Sequence, residues 1–130
     1  MEESRYERGM RFQNLRRMPD DQLARTESPE ELEPLDRMIT EFVHGDVYSR
    51  DILTLREREM VTIAALVAMN LPQVEGHCRT GLALGMSKEE IEEIILQTIP
   101  FAGFPTAING LKLLKKVVAE ETAKGNYPLK

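Results

Sequence analysis

Two side chains, Glu59 and His77, are of the types that perform acid–base chemistry, and both belong to one predicted helical hairpin. They are 77 − 59 = 18 positions apart, on either side of the predicted turn at residues 70–72. If they meet beside apolar side chains, the carboxylate fixes the imidazole tautomer and raises its basicity, which gives a proton donor and acceptor near neutral pH. At ~1.5 Å per residue the two are offset by roughly 7 Å along parallel helices, so the spacing alone does not require contact.

Both residue types also have a structural interpretation, which the sequence leaves open. His77 would then donate to a backbone carbonyl, and Glu59 would occupy a first helical turn, where acidic side chains favour the helix dipole. The second histidine, His44, precedes a predicted helix end at Gly45-Asp46 and receives no functional role.

The single cysteine, Cys78, lies on an apolar stripe with Val74, Leu82 and Gly85. One cysteine cannot form an internal disulfide, a CxxC redox pair or a thiolate-rich zinc site, and no metal site is predicted. A lone cysteine on such a stripe is usually a small core residue. The alternative, a redox role, requires an accessible thiol with a lowered pKa. The neighbouring His77 is about 100° away around the helix, which is poor geometry for activating that thiol.

Four arginines lie near the ends of the same hairpin: Arg50, Arg56, Arg58 and Arg79. The chain has 17 Lys and Arg against 22 Asp and Glu, a net charge of −5, so a local basic pocket would suit a small acid better than a polyanion. These arginines could therefore bind the carboxylates of a small acid, and nucleic acid and anionic membranes are not expected as partners. The alternative for each arginine is a surface ion pair with a carboxylate.

The spacing of apolar residues predicts an all-α fold of about six helices in a single domain, residues 1–130. No segment alternates with a period of two, so no sheet is expected. Gly45-Asp46 is predicted to end the second helix, Pro100 to kink the fifth, and the tail after Gly125 to fray. The predicted helices cover residues 4–18, 28–44, 55–69, 72–84, 88–102 and about 106–118.

Apolar residues at three- and four-residue steps predict which face of each helix is buried. For the second and sixth helices the predicted buried residues are Leu32, Leu35, Ile39, Phe42 and Val43, and Ile108, Leu111, Leu114 and Val118. The third helix is apolar on every side from Met60 to Met69 except at Thr62. Covering all sides of a helix in so short a chain requires the centre of a bundle or a neighbouring subunit, so we expect several copies to associate.

Neither a secretory signal nor a membrane span is predicted. The first ten residues carry charge and lack an apolar segment, and the longest uncharged stretch, residues 94–111, contains Pro100 and Pro105. With a single cysteine, the expected location is the reducing cytoplasm.

The order and spacing of several motifs resemble the carboxymuconolactone decarboxylase family, within the wider alkylhydroperoxidase D-like superfamily. The resemblance covers about residues 38–120, and an RYERG segment at residue 5 resembles the family's N-terminal helix. The motifs that carry it are FVHGDVYSR from residue 42, LREREMVTIAALVAM from residue 55, His77-Cys78-Arg79, GMSKEEIEEIILQ from residue 85 and AGFPTAIN from residue 102.

The resemblance implies an alkylhydroperoxidase D-like helical bundle in a closed homo-oligomer, typically a hexamer, with a trimer as the alternative. It implies decarboxylation of γ-carboxymuconolactone in aromatic catabolism without a cofactor, because the lactone carbonyl takes up the electrons as a dienolate. It also places Glu59 and His77 at the active pocket. His77 would protonate the ring carbon and Glu59 would orient it, while Arg50 with Arg58 or Arg79 would hold the acidic groups.

Departures from the family pattern keep other functions open. Phe101 stands where many members have a tyrosine, so one hydroxyl is missing, and Pro100 and Cys78 are also unusual at their positions. The thiol-peroxidase branch of the superfamily has a CxxC pair between the glutamate and the histidine, and this chain has none between Glu59 and His77, so the dithiol mechanism of that branch is absent. The first alternative is a single-cysteine thiol peroxidase that uses Cys78. The second is a non-enzymatic oligomer that binds a small acid.

Overall fold

The computed structural model describes residues 2–22 and 32–129, and the chain divides into two compact units, Met1–Leu55 and Arg56–Lys130. All regular structure in the described ranges is helical, which confirms the predicted all-α class. A single domain over residues 1–130 stays a prediction. No helix within these ranges has the length and apolarity needed to cross a membrane. The predicted start of the second helix at Ser28-Pro29 lies outside the described residues.

The first unit begins with α1, which a capping box starts: Ser4 Oγ accepts the N–H of Glu7, and the Glu7 carboxylate accepts the N–H of Ser4. Further along the chain, α3 continues without a break into a π-helix. The elements of this unit are α1 (Arg5–Asn14), α2 (Pro19–Gln22), α3 (Leu35–Met38) and the π-helix (Ile39–Val47).

Glycine allows α1 to lie directly against the π-helix. A Cβ at Gly9 would lie 2.0 Å from the carbonyl oxygen of Thr40, and a Cβ at Gly45 would lie 2.7 Å from that of Arg5. The predicted helix end at Gly45 was wrong, since the π-helix continues to Val47. The glycine there permits a close backbone approach between two helices instead of a left-handed turn.

The buried side of this second predicted helix differs from the expected one. The residues Asp36, Thr40 and His44 are buried, because the contact with α1 brings that side of the π-helix against another backbone. Much of the predicted apolar face is exposed, and Phe42 at its centre is 60% exposed. The exposed members are Leu32, Leu35, Ile39 and Phe42.

The second unit contains the remaining helices, and both α5 and α6 pack against α8. A capping box between Ser87 and Glu90 starts α6 as the pattern predicts. The predicted fifth helix is broken at Thr98, whose Oγ1 donates to the carbonyl of Ile95, and Pro100 lies in the first turn of a separate helix. The elements are α4 (Leu55–Ala68), α5 (Val74–Ala83), α6 (Lys88–Gln97), α7 (Ile99–Ala102) and α8 (Phe104–Ala123).

The core of the second unit confirms one predicted stripe and corrects another. Val74, Cys78 and Leu82 on α5 are buried as predicted, whereas Gly85, the last residue assigned to this stripe, is exposed beyond the end of α5. On α8 the predicted face was wrong for Ile108, which is exposed, because α8 approaches α4 along Gly110, where a Cβ would lie 3.2 Å from Val67 Cγ2. The buried positions of α8 are 107, 110, 114, 117 and 121.

Within one chain, α4 is not covered on all sides. Its buried residues are Glu59, Ile63 and Val67, whereas Val61 on another side is 63% exposed. The association of several copies, which the all-round apolar pattern predicts, stays a prediction.

The C-terminal tail is attached to the second unit, so the predicted fraying after Gly125 was wrong. The hydroxyl of Tyr127 accepts the N–H of Lys88, which is otherwise unbonded at a helix start, and Nδ2 of Asn126 donates to the carboxylate of Glu121.

Candidate functional site

Glu59 and His77 are in direct contact within the second unit. Nδ1 of His77 lies 2.6 Å from Oε1 of Glu59. Because a carboxylate only accepts hydrogen bonds, the ring donates from Nδ1, and Nε2 is the nitrogen that remains to exchange a proton with another molecule. The contact that the spacing did not require is therefore present.

The two members of this pair differ in exposure. Glu59 is fully buried, in register with Ile63 and Val67 on the core stripe of α4, whereas the His77 side chain is 29% exposed. A carboxylate in such a position is costly unless it is paired, and the imidazole supplies a partner. The arrangement places a buried negative charge behind an imidazole that solutes can reach.

The turn between α4 and α5 determines how this pair meets. Asn70 adopts a left-handed backbone with φ 57°, and the N–H of Leu71 bonds to the carbonyl of Leu66, which ends α4 as a Schellman motif does. Residues 71–73 then lead into Val74. The offset of roughly 7 Å between Glu59 and His77 holds for two parallel helices joined by a simple turn. The turn at Asn70 is not of that kind, so the offset does not apply.

Cys78 lies in the core beside this pair, with no exposed surface. Burial raises the pKa of the Cys78 thiol to about 12; the nearby Glu59 carboxylate adds to the rise, and the Arg79 guanidinium opposes it. The thiol is therefore protonated at neutral pH, and the geometry favours the structural interpretation of Cys78 over a redox role.

We expect Cys78 to resist alkylation in the native protein. A pKa of about 12 in place of 9.0 leaves about 1,000-fold less thiolate at pH 8, and burial also blocks the reagent. Iodoacetamide at pH 8, followed by intact-mass spectrometry, should label the native chain at least ~100-fold more slowly than the chain in denaturant. Equally fast labelling of both forms would contradict the burial and favour the peroxidase alternative.

Arg79 connects two helices through carboxylates. Its Nε donates to Oε1 of Glu121 at 2.9 Å, and its Nη2 donates to Oε2 of Glu120 at 2.6 Å. This geometry favours the ion-pair alternative for Arg79, while its predicted substrate contact stays a prediction. The buried Glu121 was not singled out from the sequence, although it continues the three- and four-residue spacing of the buried positions on α8.

The other predicted arginines have different surroundings. Arg58 is partly buried immediately before Glu59 on α4, and Arg50 is exposed in the first unit, after the π-helix. Their predicted roles in substrate binding stay predictions. Arg56 forms an ion pair with Glu90. Phe101, at the position of the family tyrosine, is 85% exposed.

No group of three or more metal-ligating side chains is placed to hold a metal ion in the described part of the chain. The candidate site consists of the contacting pair Glu59 and His77, and Arg58 is next to Glu59 in the sequence.

Comparison with known proteins identifies related sequences. The profile of the carboxymuconolactone decarboxylase family matches residues 33–116, well over half of the chain. The chain is 32% identical over 80 residues to 4-carboxymuconolactone decarboxylase of Acinetobacter baylyi, covering 61% of this chain and 60% of that protein. It is 26% identical over 95 residues to nitrosuccinic acid decarboxylase of Metarhizium robertsii, covering 72% of this chain and 66% of that protein.

A third relative has no activity in its name. The chain is 35% identical over 80 residues to an uncharacterized 15.0 kDa protein of Paracoccus denitrificans, covering 59% of this chain and 60% of that protein. The alignments thus span about 60 to 66% of the length of these relatives.

Proposed function

Since the chain belongs to the carboxymuconolactone decarboxylase family, we propose that it is a cofactor-free carboxy-lyase acting on a small carboxylated lactone of the γ-carboxymuconolactone type. The observation that carries the proposal is the 2.6 Å contact between Glu59 and His77, with the carboxylate buried and the imidazole partly exposed. This pair supplies the single proton transfer that the reaction needs.

The reaction begins with cleavage of the bond between the ring carbon and its carboxylate. Carbon dioxide leaves, and the electron pair moves through the conjugated system onto the lactone carbonyl as a dienolate. The imidazolium of His77 then delivers the proton on Nε2 to the ring carbon next to the carbonyl. This step restores the carbonyl and leaves the double bond at the carbon that lost the carboxylate, which gives an enol-lactone. The neutral imidazole that remains still donates from Nδ1 to Glu59, and a proton from water regenerates the imidazolium.

The names of two relatives support a general substrate class. One acts on 4-carboxymuconolactone and the other on nitrosuccinic acid, and in both molecules an electron-withdrawing group can accept the electrons released with carbon dioxide. The lactone carbonyl forms a dienolate, and the nitro group forms a nitronate. We propose that the substrate of this chain is a small acid of this class, which explains why no cofactor is needed to stabilise the carbanion.

The proposal assigns the negative groups of the substrate to arginine. Arg58, next to Glu59 on α4, and Arg50 are the candidates, because a guanidinium binds a planar carboxylate through two hydrogen bonds. Arg79 is a weaker candidate because Glu120 and Glu121 already accept from it.

We further propose that the protein acts in the cytoplasm as a closed homo-oligomer, a hexamer or a trimer. The exposed apolar side chains on α4 and on the helix that contains Phe42 support association.

We expect the purified chain to release carbon dioxide from γ-carboxymuconolactone without added metal or cofactor. Incubation in D₂O should place one deuterium on the ring carbon next to the lactone carbonyl, because His77 exchanges its proton with solvent. Mass spectrometry of the product and carbon dioxide release measure both results, and nitrosuccinate tests the wider substrate class. Saturable thermal stabilisation by both acids without any product would instead support the small-acid-binding alternative.

A further inference from the structure

An open groove of about 480 Å³ lies between α4 and α6 of the second unit. Met60, Val61 and Ala64 contribute its apolar wall from α4, and Ile94 contributes from α6. Glu90 and Glu93 form an acidic rim on the α6 side. We call this feature the α4–α6 groove.

The outer edge of α8 has the opposite character. Its apolar side chains Phe104, Ile108 and Leu111 follow one another at four- and three-residue steps, and Phe104 is 67% exposed. Lys112 and Lys115 follow at the end of this stripe. Anchors at this spacing on a helix are those that an apolar groove accepts. We call this feature the α8 edge.

The charges of the two surfaces complement each other. Among the charged side chains in the described ranges, Glu93, Lys112 and Lys115 form no ion pair within the chain, whereas Glu90 pairs with Arg56 and Glu92 with Lys88. If the acidic rim of one copy lay against the lysines of another copy, the unpaired charges of the two surfaces would form ion pairs with each other.

The position of the two surfaces favours a head-to-tail arrangement. On α6, Glu93 and Ile94 face the α4–α6 groove, while Glu92 and Leu96 line the cleft beside the α8 edge. At about 100° per residue these two sets lie on opposite flanks of the buried residue Ile91. Because the two surfaces lie on opposite flanks of α6, a two-fold contact would use one surface alone and place it against its own copy, like charge against like charge, which is unfavourable. A heterologous contact places unlike charges together, and it forms a ring when the rotation between successive copies closes.

We propose that the α8 edge of one copy docks into the α4–α6 groove of the next copy. The inference rests on the homo-oligomer of the proposed function and is independent of the reaction. The contact buries the exposed apolar residues of α4 and α8 and pairs Glu93 with Lys112 or Lys115 of the adjacent copy. The α8 helix of each subunit is then held on both sides, by its own α5 and α6 and by the neighbouring groove.

A charge-swap series on the full-length chain tests this docking. We expect the variants E93K and K112E/K115E each to weaken assembly by about tenfold or more in the midpoint concentration of dissociation, because each creates like-charge contact. The variant that combines all three substitutions restores unlike charges and should assemble as the natural chain does. Sedimentation velocity over a concentration series measures assembly, and far-UV circular dichroism shows that each variant is folded.

The control is D51K, which makes the same change of charge at an exposed position outside both surfaces and should leave assembly unchanged. An oligomer that E93K and K112E/K115E leave intact would overturn the docking, and so would failure of the combined variant to reassemble. A natural chain that stays monomeric would overturn the homo-oligomer together with the docking. Turnover of the lactone is measured separately, so failure of the proposed reaction is distinguishable from either result.

Discussion

Replacing His77 by asparagine should lower kcat for the proposed decarboxylation by on the order of 10²- to 10⁴-fold, the range that general acid–base catalysis supplies. The asparagine amide can still donate to Glu59 as Nδ1 does, so the buried carboxylate keeps a partner. It has no titratable nitrogen, so it cannot deliver a proton to the carbanion. Steady-state kinetics with γ-carboxymuconolactone, alongside thermal unfolding, measures the loss of activity separately from any loss of folded protein.

The matched control for this experiment is the variant Cys78→Ala. It alters the residue next to His77 in the sequence, but Cys78 is buried and its raised pKa keeps it protonated, so kcat should stay within a few-fold of the natural value. Undiminished turnover by His77→Asn would remove the assignment of His77 as the proton donor. Loss of turnover in folded Cys78→Ala would indicate a thiol-dependent reaction instead.

The helices were predictable because local patterns determine them, whereas the buried faces depend on tertiary contacts. Capping residues such as Ser87 and the apolar stripe of α5 act within a few residues of the chain, and both predictions are confirmed. The faces of the π-helix and of α8 depend on Gly45 and Gly110, where backbones approach closely. The spacing of apolar residues indicates which large side chains are buried. It does not reveal a close helix contact that depends on a glycine, which has no side chain.

The site was partly predictable for a similar reason. Residue types and the family resemblance identified Glu59 and His77, but their contact depends on the turn that Asn70 forms, which the spacing does not specify. One signal was present and was not used: Glu59 is in register with Ile63 on the core stripe of α4, four residues away. A carboxylate at a core position requires a buried partner, and this requirement alone would have favoured contact with a nearby imidazole.

Replacing Glu59 by glutamine should lower kcat by on the order of 10²-fold while changing the KM for the lactone little. Glutamine preserves the shape and can accept from Nδ1 of His77, but it removes the negative charge that stabilises the imidazolium. Because Glu59 is fully buried behind the imidazole, it does not contact the substrate, and the effect falls on the proton-transfer step. Kinetics under saturating and limiting lactone distinguish kcat from KM.

Removing the Glu59 carboxylate should affect the stability of the fold differently from its effect on activity. Burial of the Glu59 carboxylate costs desolvation free energy, and the partner that remains after its removal, His77, is partly exposed, so no charge is left buried. Glu59→Leu should therefore unfold at an equal or higher temperature than the natural chain while losing turnover. A carboxylate retained for stability would give the reverse result, with lower unfolding temperature and near-normal turnover of the folded fraction. Thermal unfolding and kcat of Glu59→Leu therefore decide whether this glutamate is kept for chemistry or for the fold, since the two explanations predict different results for each measurement.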